Sequence, residues 1–231
     1  MIETKALTLH YGGSQILHGI DFAAKAGEVT CIMGTNGVGK TSFLKALAGT
    51  HPRSDGEVVL AGETLPRLAA QDMAKRGLSV VPQGRMIFPL LTVRENLETA
   101  YAVLPKSDHR IPDEVYELFP VLKDMGGRRG GDLSGGQQQQ LAIARAMIMK
   151  PKVLLLDEPT EGIQPNIIQQ IGRVIGYLRA KGDMAIILVE QYFEFAYGLA
   201  DSFYVFRRGA VSMSGSKSEL SKDVLRAEVS V

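Results

Sequence analysis

Val29-Thr30-Cys31-Ile32-Met33-Gly34-Thr35-Asn36-Gly37-Val38-Gly39-Lys40-Thr41-Ser42 is the stretch from which the rest of the chain can be read. Its first five residues make a mainly apolar run, as expected of a strand covered on both faces. Residues 34–41 fit G-x-x-x-x-G-K-[ST], and a helix is expected over 40–48, with Gly49 placed to end it. Glycines let the backbone curl so that successive N–H groups face an anion. The helix N-terminus adds positive potential. Lys40 is placed to reach the β- and γ-phosphates of a nucleotide, and Thr41 to offer its hydroxyl to Mg²⁺. A chain of this length matches the pattern by chance about one or two times in a hundred. The strand before it and the helix after it favour phosphate binding. The candidate set is Gly34, Thr35, Asn36, Gly37, Val38, Gly39, Lys40, Thr41 and the adjoining Ser42.

A second apolar run, Val153-Leu154-Leu155-Leu156, ends in Asp157-Glu158-Pro159. In open α/β sheets ligands bind at the carboxyl ends of strands. Asp157 is therefore expected beside the glycine loop, holding Mg²⁺ through water. Glu158 is placed to act as general base on an attacking water. Alone, the two acids could be polar punctuation at a strand end. Beside the glycine loop they read as function.

Leu133-Ser134-Gly135-Gly136-Gln137 opens a strong helix expected over 137–149. Ser134 and Gln137 fit a capping box, S-x-x-Q. The same hydroxyl, glycine N–H groups and helix dipole also make an anion site. Within one protomer that site duplicates the first loop. It becomes useful if it closes over a nucleotide held by another subunit.

Short strands are expected over 2–9, 20–23 (after a His18-Gly19 turn), 56–60 and 78–81, with helix near 66–76. From about 84 to 149 the strand signal stops. Helical spacing covers 93–101 and 113–119, with Pro112 in a first turn, and 126–131 reads as a loop. Strands return at 153–156 and 185–189, separated by a helix over 166–180. A hairpin is expected from 203–206 and 210–214 around Arg208-Gly209. Alternating strands and helices imply a mostly parallel sheet. The purely helical block reads as an inserted lobe of one domain spanning 1–231.

The 231 residues are 45% hydrophobic and 22% charged, ordinary for a globular chain able to bury a large core. Lys plus Arg number 26 against 25 Asp plus Glu, which argues against a nucleic-acid binder with a basic stripe. The single cysteine, Cys31, excludes an intrachain disulfide and sits in core-like surroundings. No stretch approaches the roughly 18 apolar residues needed to span a bilayer. The N-terminal segment has no secretory pattern, so a cytoplasmic location is expected, with any membrane role exercised through a partner.

Taken in order, these motifs resemble the ATP-binding subunits of ABC transporters over essentially the whole chain. The resemblance implies an α/β P-loop ATPase with a mostly parallel core, an N-terminal antiparallel β-subdomain and an inserted helical subdomain (about 84–149). It implies ATP and Mg²⁺ as ligands. It places Gln83, in Val-Val-Pro-Gln-Gly-Arg, as the glutamine that senses Mg²⁺ and faces the membrane partner. Tyr11, in Leu-His-Tyr-Gly-Gly, matches the aromatic that stacks on adenine. Ser134, Gly135, Gly136 and Gln137 match the signature, and Asp157 and Glu158 the metal aspartate and catalytic glutamate. The implied partners are integral-membrane permease subunits and a second ATP-binding subunit, self or paralogue, with a solute-binding protein involved indirectly. The implied location is peripheral, on the cytoplasmic face of the inner membrane.

Pro82-Gln83-Gly84-Arg85-Met86-Ile87-Phe88-Pro89-Leu90-Leu91-Thr92-Val93-Arg94-Glu95-Asn96-Leu97 and Leu188-Val189-Glu190-Gln191-Tyr192-Phe193 are similar to the importer branch for branched-chain amino acids, amides and urea. The run Asp157-Glu158-Pro159-Thr160-Glu161-Gly162-Ile163-Gln164-Pro165-Asn166-Ile167-Ile168 most resembles the urea-type subunit. Two positions depart from the wider family. Gln191 stands where a γ-phosphate-contacting histidine is usual, and is expected to keep that contact through its amide. Gln164 stands where aspartate usually precedes proline. Other readings stay open at this level: the engine of an exporter or lipid-handling complex, a soluble ABC-type ATPase, or a simpler P-loop kinase.

Overall fold

Alternating burial along β1 (Ile2–Tyr11) lays one face of a sheet against the core and leaves the other in solvent. The computed structural model describes residues 1–229. β1 pairs antiparallel with β2 (Ser14–Ala24). Leu7 faces Ile20 and Thr8 faces His18, so Gly19 is an extra residue, with φ +75°. The expected His18-Gly19 turn is thus a β-bulge inside one long strand, because a left-handed glycine lets the strand absorb one residue and continue. β3 (Val29–Met33) follows, then α1 (Lys40–Ala48), closed by Gly49 in the left-handed conformation. β4 (Asp55–Leu60) returns to β1, and β5 (Glu63–Leu65) pairs with β4. β5 has three residues, too few to show a period.

The expected helix near 66–76 is shorter, α2 (Ala70–Lys75). It leads into β6 (Leu78–Val81). Between β6 and the next strand come α3 (Val93–Glu98), α4 (Asp113–Leu118), α5 (Pro120–Asp124) and α6 (Gly135–Ile148). Thr92 and Glu95 form a capping box that starts α3, which tightens into a 3₁₀ turn over Thr99–Val103 instead of running on to Tyr101. Pro112 caps α4 from just outside. α6 starts two residues before the expected Gln137, because Ser134 caps it and both glycines are already helical. The chain continues through β7 (Val153–Asp157), α7 (Pro165–Lys181), β8 (Ala185–Val189), α8 (Phe193–Leu199), β9 (Ser202–Arg207), β10 (Ala210–Ser216) and α9 (Lys222–Val229). α8 and α9 each fully bury one residue, Ala196 and Leu225, and lay further apolar side chains, among them Phe193, Phe195 and Val229, against the core.

The second sheet has the order β10-β9-β3-β8-β7-β6, parallel except for its β10 edge. Its two faces belong to different cores. Leu154, Leu156, Ile186 and Leu188 face α6 and α7, while Val153, Leu155, Ile187 and Val189 face α1 and the antiparallel sheet. That is the physical reason β7 and β8 read as unbroken apolar runs. Phe43 of α1 is fully buried between the sheets, with ring centroids 5.1 Å from Phe22 of β2 and 5.4 Å from Phe206 of β9. Phe43→Ala should cost about 3–5 kcal/mol of stability. The check is the urea midpoint, and a loss under about 1 kcal/mol would mean that Phe43 does not join the two layers.

Candidate nucleotide site

Gly34 follows β3 directly, with φ +139°. A β-carbon there would lie 2.3 Å from the carbonyl oxygen of Phe206, so only glycine lets the loop leave the sheet along this path. Gly39, with φ +104°, closes the loop as N-cap of α1, and a β-carbon there would meet Leu17 at 2.8 Å. Thr35, Asn36, Gly37 and Val38 form the arch between them, with Val38 turned into the core. Lys40 is 4% exposed, and its ammonium donates to the carbonyls of Gly34 (2.7 Å) and Thr35 (2.9 Å). Burial pulls the Lys40 pKa down, while the charges of Glu158, Asp157 and Glu190 push it back up. Burial also pushes the Cys31 thiol well up, which keeps it protonated and inert. Ser42 sits half-buried in the first turn of α1.

Asp157 ends β7, 3% exposed, and accepts a hydrogen bond from the Thr41 hydroxyl at 3.4 Å. Burial raises its pKa, with the charge of Glu158 adding to the shift and the Thr41 hydroxyl and the charges of Lys40 and Lys45 opposing it. Hydroxyl and carboxylate together form a hard oxygen donor pair suited to Mg²⁺. Among the described residues no group of three or more His, Cys, Asp or Glu could hold a metal by itself. The donor set therefore fits a cation that completes its shell with phosphate oxygens and water.

Glu158 has φ +47°, and its N–H donates to the Val189 carbonyl at 2.9 Å. Two glutamines hold its carboxylate. Gln191 Nε2 donates to Oε1 at 2.6 Å and Gln83 Nε2 to Oε2 at 3.3 Å. Gln191 also donates to Asn36 Oδ1 of the glycine loop at 2.8 Å, and Gln83 to Glu161 Oε2 at 3.0 Å. Gln191 thus bridges the loop and the carboxylate, whereas the rings of His10, His51 and His109 hydrogen-bond elsewhere and His18 lies on β2, its backbone N–H donating to Gly209.

The Ser134–Gln137 capping box is formed: Gln137 N donates to Ser134 Oγ at 3.3 Å, and Ser134 N to Gln137 Oε1 at 2.9 Å. Ser134, Gly135, Gly136 and Gln137 line a cleft of about 490 Å³ with Gln164 and Ile167. No residue of the 34–41 loop lines it. Tyr11 is 39% exposed at the end of β1, its ring centroid 4.4 Å from that of His51. His51, Thr160, Glu161 and Glu190 did not stand out in the sequence. Only Glu190 left a signal there, an acid closing the apolar run 185–189 just as Asp157-Glu158 close theirs.

A glycine arch on a buried strand, facing an Asp-Glu pair two strands away, defines a P-loop nucleoside triphosphatase. The comparisons narrow the class. Residues 17–161 match the family model described as ABC transporter. The chain is 40% identical over 221 residues to the high-affinity branched-chain amino acid transport ATP-binding protein BraG of Pseudomonas aeruginosa, covering 95% of this chain and 94% of that one. It is 35% identical over 222 residues to the probable branched-chain amino acid transport ATP-binding protein LivF of Archaeoglobus fulgidus, with the same coverage. The fold superposes on a nucleotide-free ATP-binding cassette from an ABC transporter with TM-score 0.88 at 23% identity, covering 100% and 98% of the two chains. The chain belongs to the ABC transporter family and is an ATP-binding, ATP-hydrolysing member of it.

The loop geometry separates two glycines. Gly37 has φ +83° but open space around it, so Gly37→Ala should cost only a backbone penalty of about 1–2 kcal/mol. Gly34→Ala adds a backbone clash and should displace the loop, giving a larger loss of stability together with weaker ATP binding. Equal effects of the two in thermal melts and nucleotide titration would contradict this geometry.

Proposed function

We propose that this chain is the ATPase subunit of a membrane importer for small polar solutes, and that two such subunits sandwich two ATP molecules. The observation that carries the sandwich is the separation of the glycine loop from the Ser134–Gln137 cleft within one chain. Each complete site then takes the loop of one subunit and the signature of the other, self or paralogue. In this reading residues 34–42 cradle the phosphates, Lys40 pairs with the β- and γ-phosphates, and Tyr11 stacks on adenine. Thr41, Asp157 and Gln83 hold Mg²⁺, which neutralises phosphate charge when bound. Glu158 accepts the proton of the attacking water. Gln191 orients that carboxylate with one amide hydrogen, and the other, which the Asn36 side chain accepts here, is the one it would turn to a γ-phosphate oxygen. Residues 84–149 act as the helical lobe of a single ATP-binding unit.

The import reading rests on relatives named for branched-chain amino acid transport. A urea-type subunit within that branch rests on the run from Asp157 to Ile168. Thr41, Asp157 and Gln83 line a cleft of about 420 Å³ that also includes Met86 and Arg145. Met86, Phe88 and Leu90 expose apolar surface. Such a patch beside the metal ligands suits docking of an integral-membrane permease. No described helix is long and apolar enough to cross a membrane. In this reading the chain is a peripheral subunit on the cytoplasmic face of the membrane, with the solute-binding protein acting through the permease.

The test is reconstitution with permease and partner subunits in proteoliposomes, following ATP turnover and uptake of labelled urea and leucine. Uptake of either one coupled to turnover supports the importer; leucine without urea removes the urea-type assignment, and outward transport alone removes import. Glu158→Gln should bind ATP yet slow hydrolysis by about 10² or more. Near-normal turnover in that variant would remove the base. Pairing a Ser134→Arg subunit with a Lys40→Ala partner should leave one composite site active, whereas both changes in the same subunit should leave none. Gln191→Ala should lose at least about fivefold in rate, roughly 1 kcal/mol of transition-state stabilisation.

A further inference from the structure

Glu190 is the first residue beyond β8 and is 2% exposed. It is a charged side chain taken almost wholly out of water, and all of its close partners are donors. Oε1 accepts from Thr160 N at 3.0 Å and from Thr160 Oγ1 at 2.7 Å. Oε2 accepts from Gln191 N at 3.0 Å and from Tyr192 N at 3.1 Å. Burial pushes its pKa up, and these donors oppose the shift. With two donors on each oxygen, the ionised carboxylate satisfies the site, and a carboxamide would set its NH₂ against at least one N–H in either orientation.

These contacts close a ring. Thr160 lies two residues beyond Glu158. Gln191 returns to Glu158 through its side chain at 2.6 Å, and Glu158 N is tied to the residue before Glu190. Glu158 needs such support. Its φ of +47° is a left-handed conformation that non-glycine residues hold only when their surroundings over-determine it. We infer that Glu190 is a positioning residue for ATP hydrolysis: it welds the loop after Glu158 to the loop bearing Gln191, and so fixes the direction of the Glu158 carboxylate. The inference rests on the proposed role of Glu158 as base. The backbone of the 34–41 loop is not part of the ring. Losing Glu190 should therefore slow turnover without weakening nucleotide binding.

The experiment uses the full complex with its membrane and partner subunits. It measures kcat and KM for ATP, affinity for a fluorescent ATP analogue, and thermal midpoint for Glu190→Gln, Thr160→Val, Thr160→Ser and Glu158→Gln. Glu190→Gln should lower kcat at least tenfold, with KM and analogue affinity within about threefold of wild type. Thr160→Val, which loses one of the four donors, should lower kcat in the same pattern to a smaller extent. Thr160→Ser keeps both donors and should recover the rate. Glu190→Gln added to Glu158→Gln should slow the residual rate no further, because Glu190 acts through Glu158.

Wild-type kcat in Glu190→Gln, or matched losses of kcat and analogue affinity, would overturn the inference. So would a further tenfold loss in the double variant. If Glu190→Gln does not fold, the contrast between Thr160→Val and Thr160→Ser decides, and equal kcat for the two overturns the clamp. Normal turnover in Glu158→Gln would instead remove the base itself, a different failure from a slow Glu158→Gln beside a normal Glu190→Gln.

Discussion

Three adjacent parallel strands end at one level, and the site depends on that register. Val189 of β8 stands opposite Ile32 of β3 on one side and Asp157 of β7 on the other. Gly34, Glu158 and Glu190 therefore emerge together at one sheet edge. A two-residue slip of β7 would carry Asp157 and Glu158 about 6–7 Å along the strand axis, away from the glycine loop. A one-residue slip would turn every side chain of β7 to the opposite core. The register is held from both sides, since each strand buries its alternate residues in different clusters and neither face can be exposed cheaply.

The same edge concentrates buried charge. Lys40, Asp157 and Glu190 are each under 5% exposed, and burial shifts the pKa of each toward its neutral form. The three solve the problem differently. Lys40 is held by two loop carbonyls, Glu190 by four donors, and Asp157 by a single long hydroxyl contact. Asp157 is thus the less satisfied of the two buried anions, and the one that gains more from an arriving cation. That supports its proposed role as a metal ligand.

How much of this was legible follows from what kind of pattern each part leaves. The glycine loop, the strand before it and the helix after it were readable because they depend on local chemistry: positive-φ positions, an apolar run and a helix start. The helix opened by Ser134 was readable for the same reason, a cap that spans four residues. The Gly19 bulge was misread as a turn, because a glycine in a left-handed conformation serves either one. The α3 boundary was misplaced because 3₁₀ and α turns share the same composition. Thr160, Glu190 and Gln191 meet only through the pairing of β7 with β8, residues thirty positions apart in the chain. No local period records that a threonine after one strand faces a glutamate after another.

Gln191 shows why that non-local geometry matters for chemistry. It donates at 2.6 Å to Glu158 and at 2.8 Å to Asn36, so both amide hydrogens are engaged and its carbonyl is left over. A histidine there could supply the same donors only as a cation, because the neutral ring has a single N–H. The cation would pair with Glu158 and stabilise its ionised form, which weakens it as a proton acceptor. It would also be lost as pH rises through a value near 6.5. Glutamine holds the carboxylate without adding charge and without titrating. The direction of that carboxylate is left to the ring that Glu190 closes.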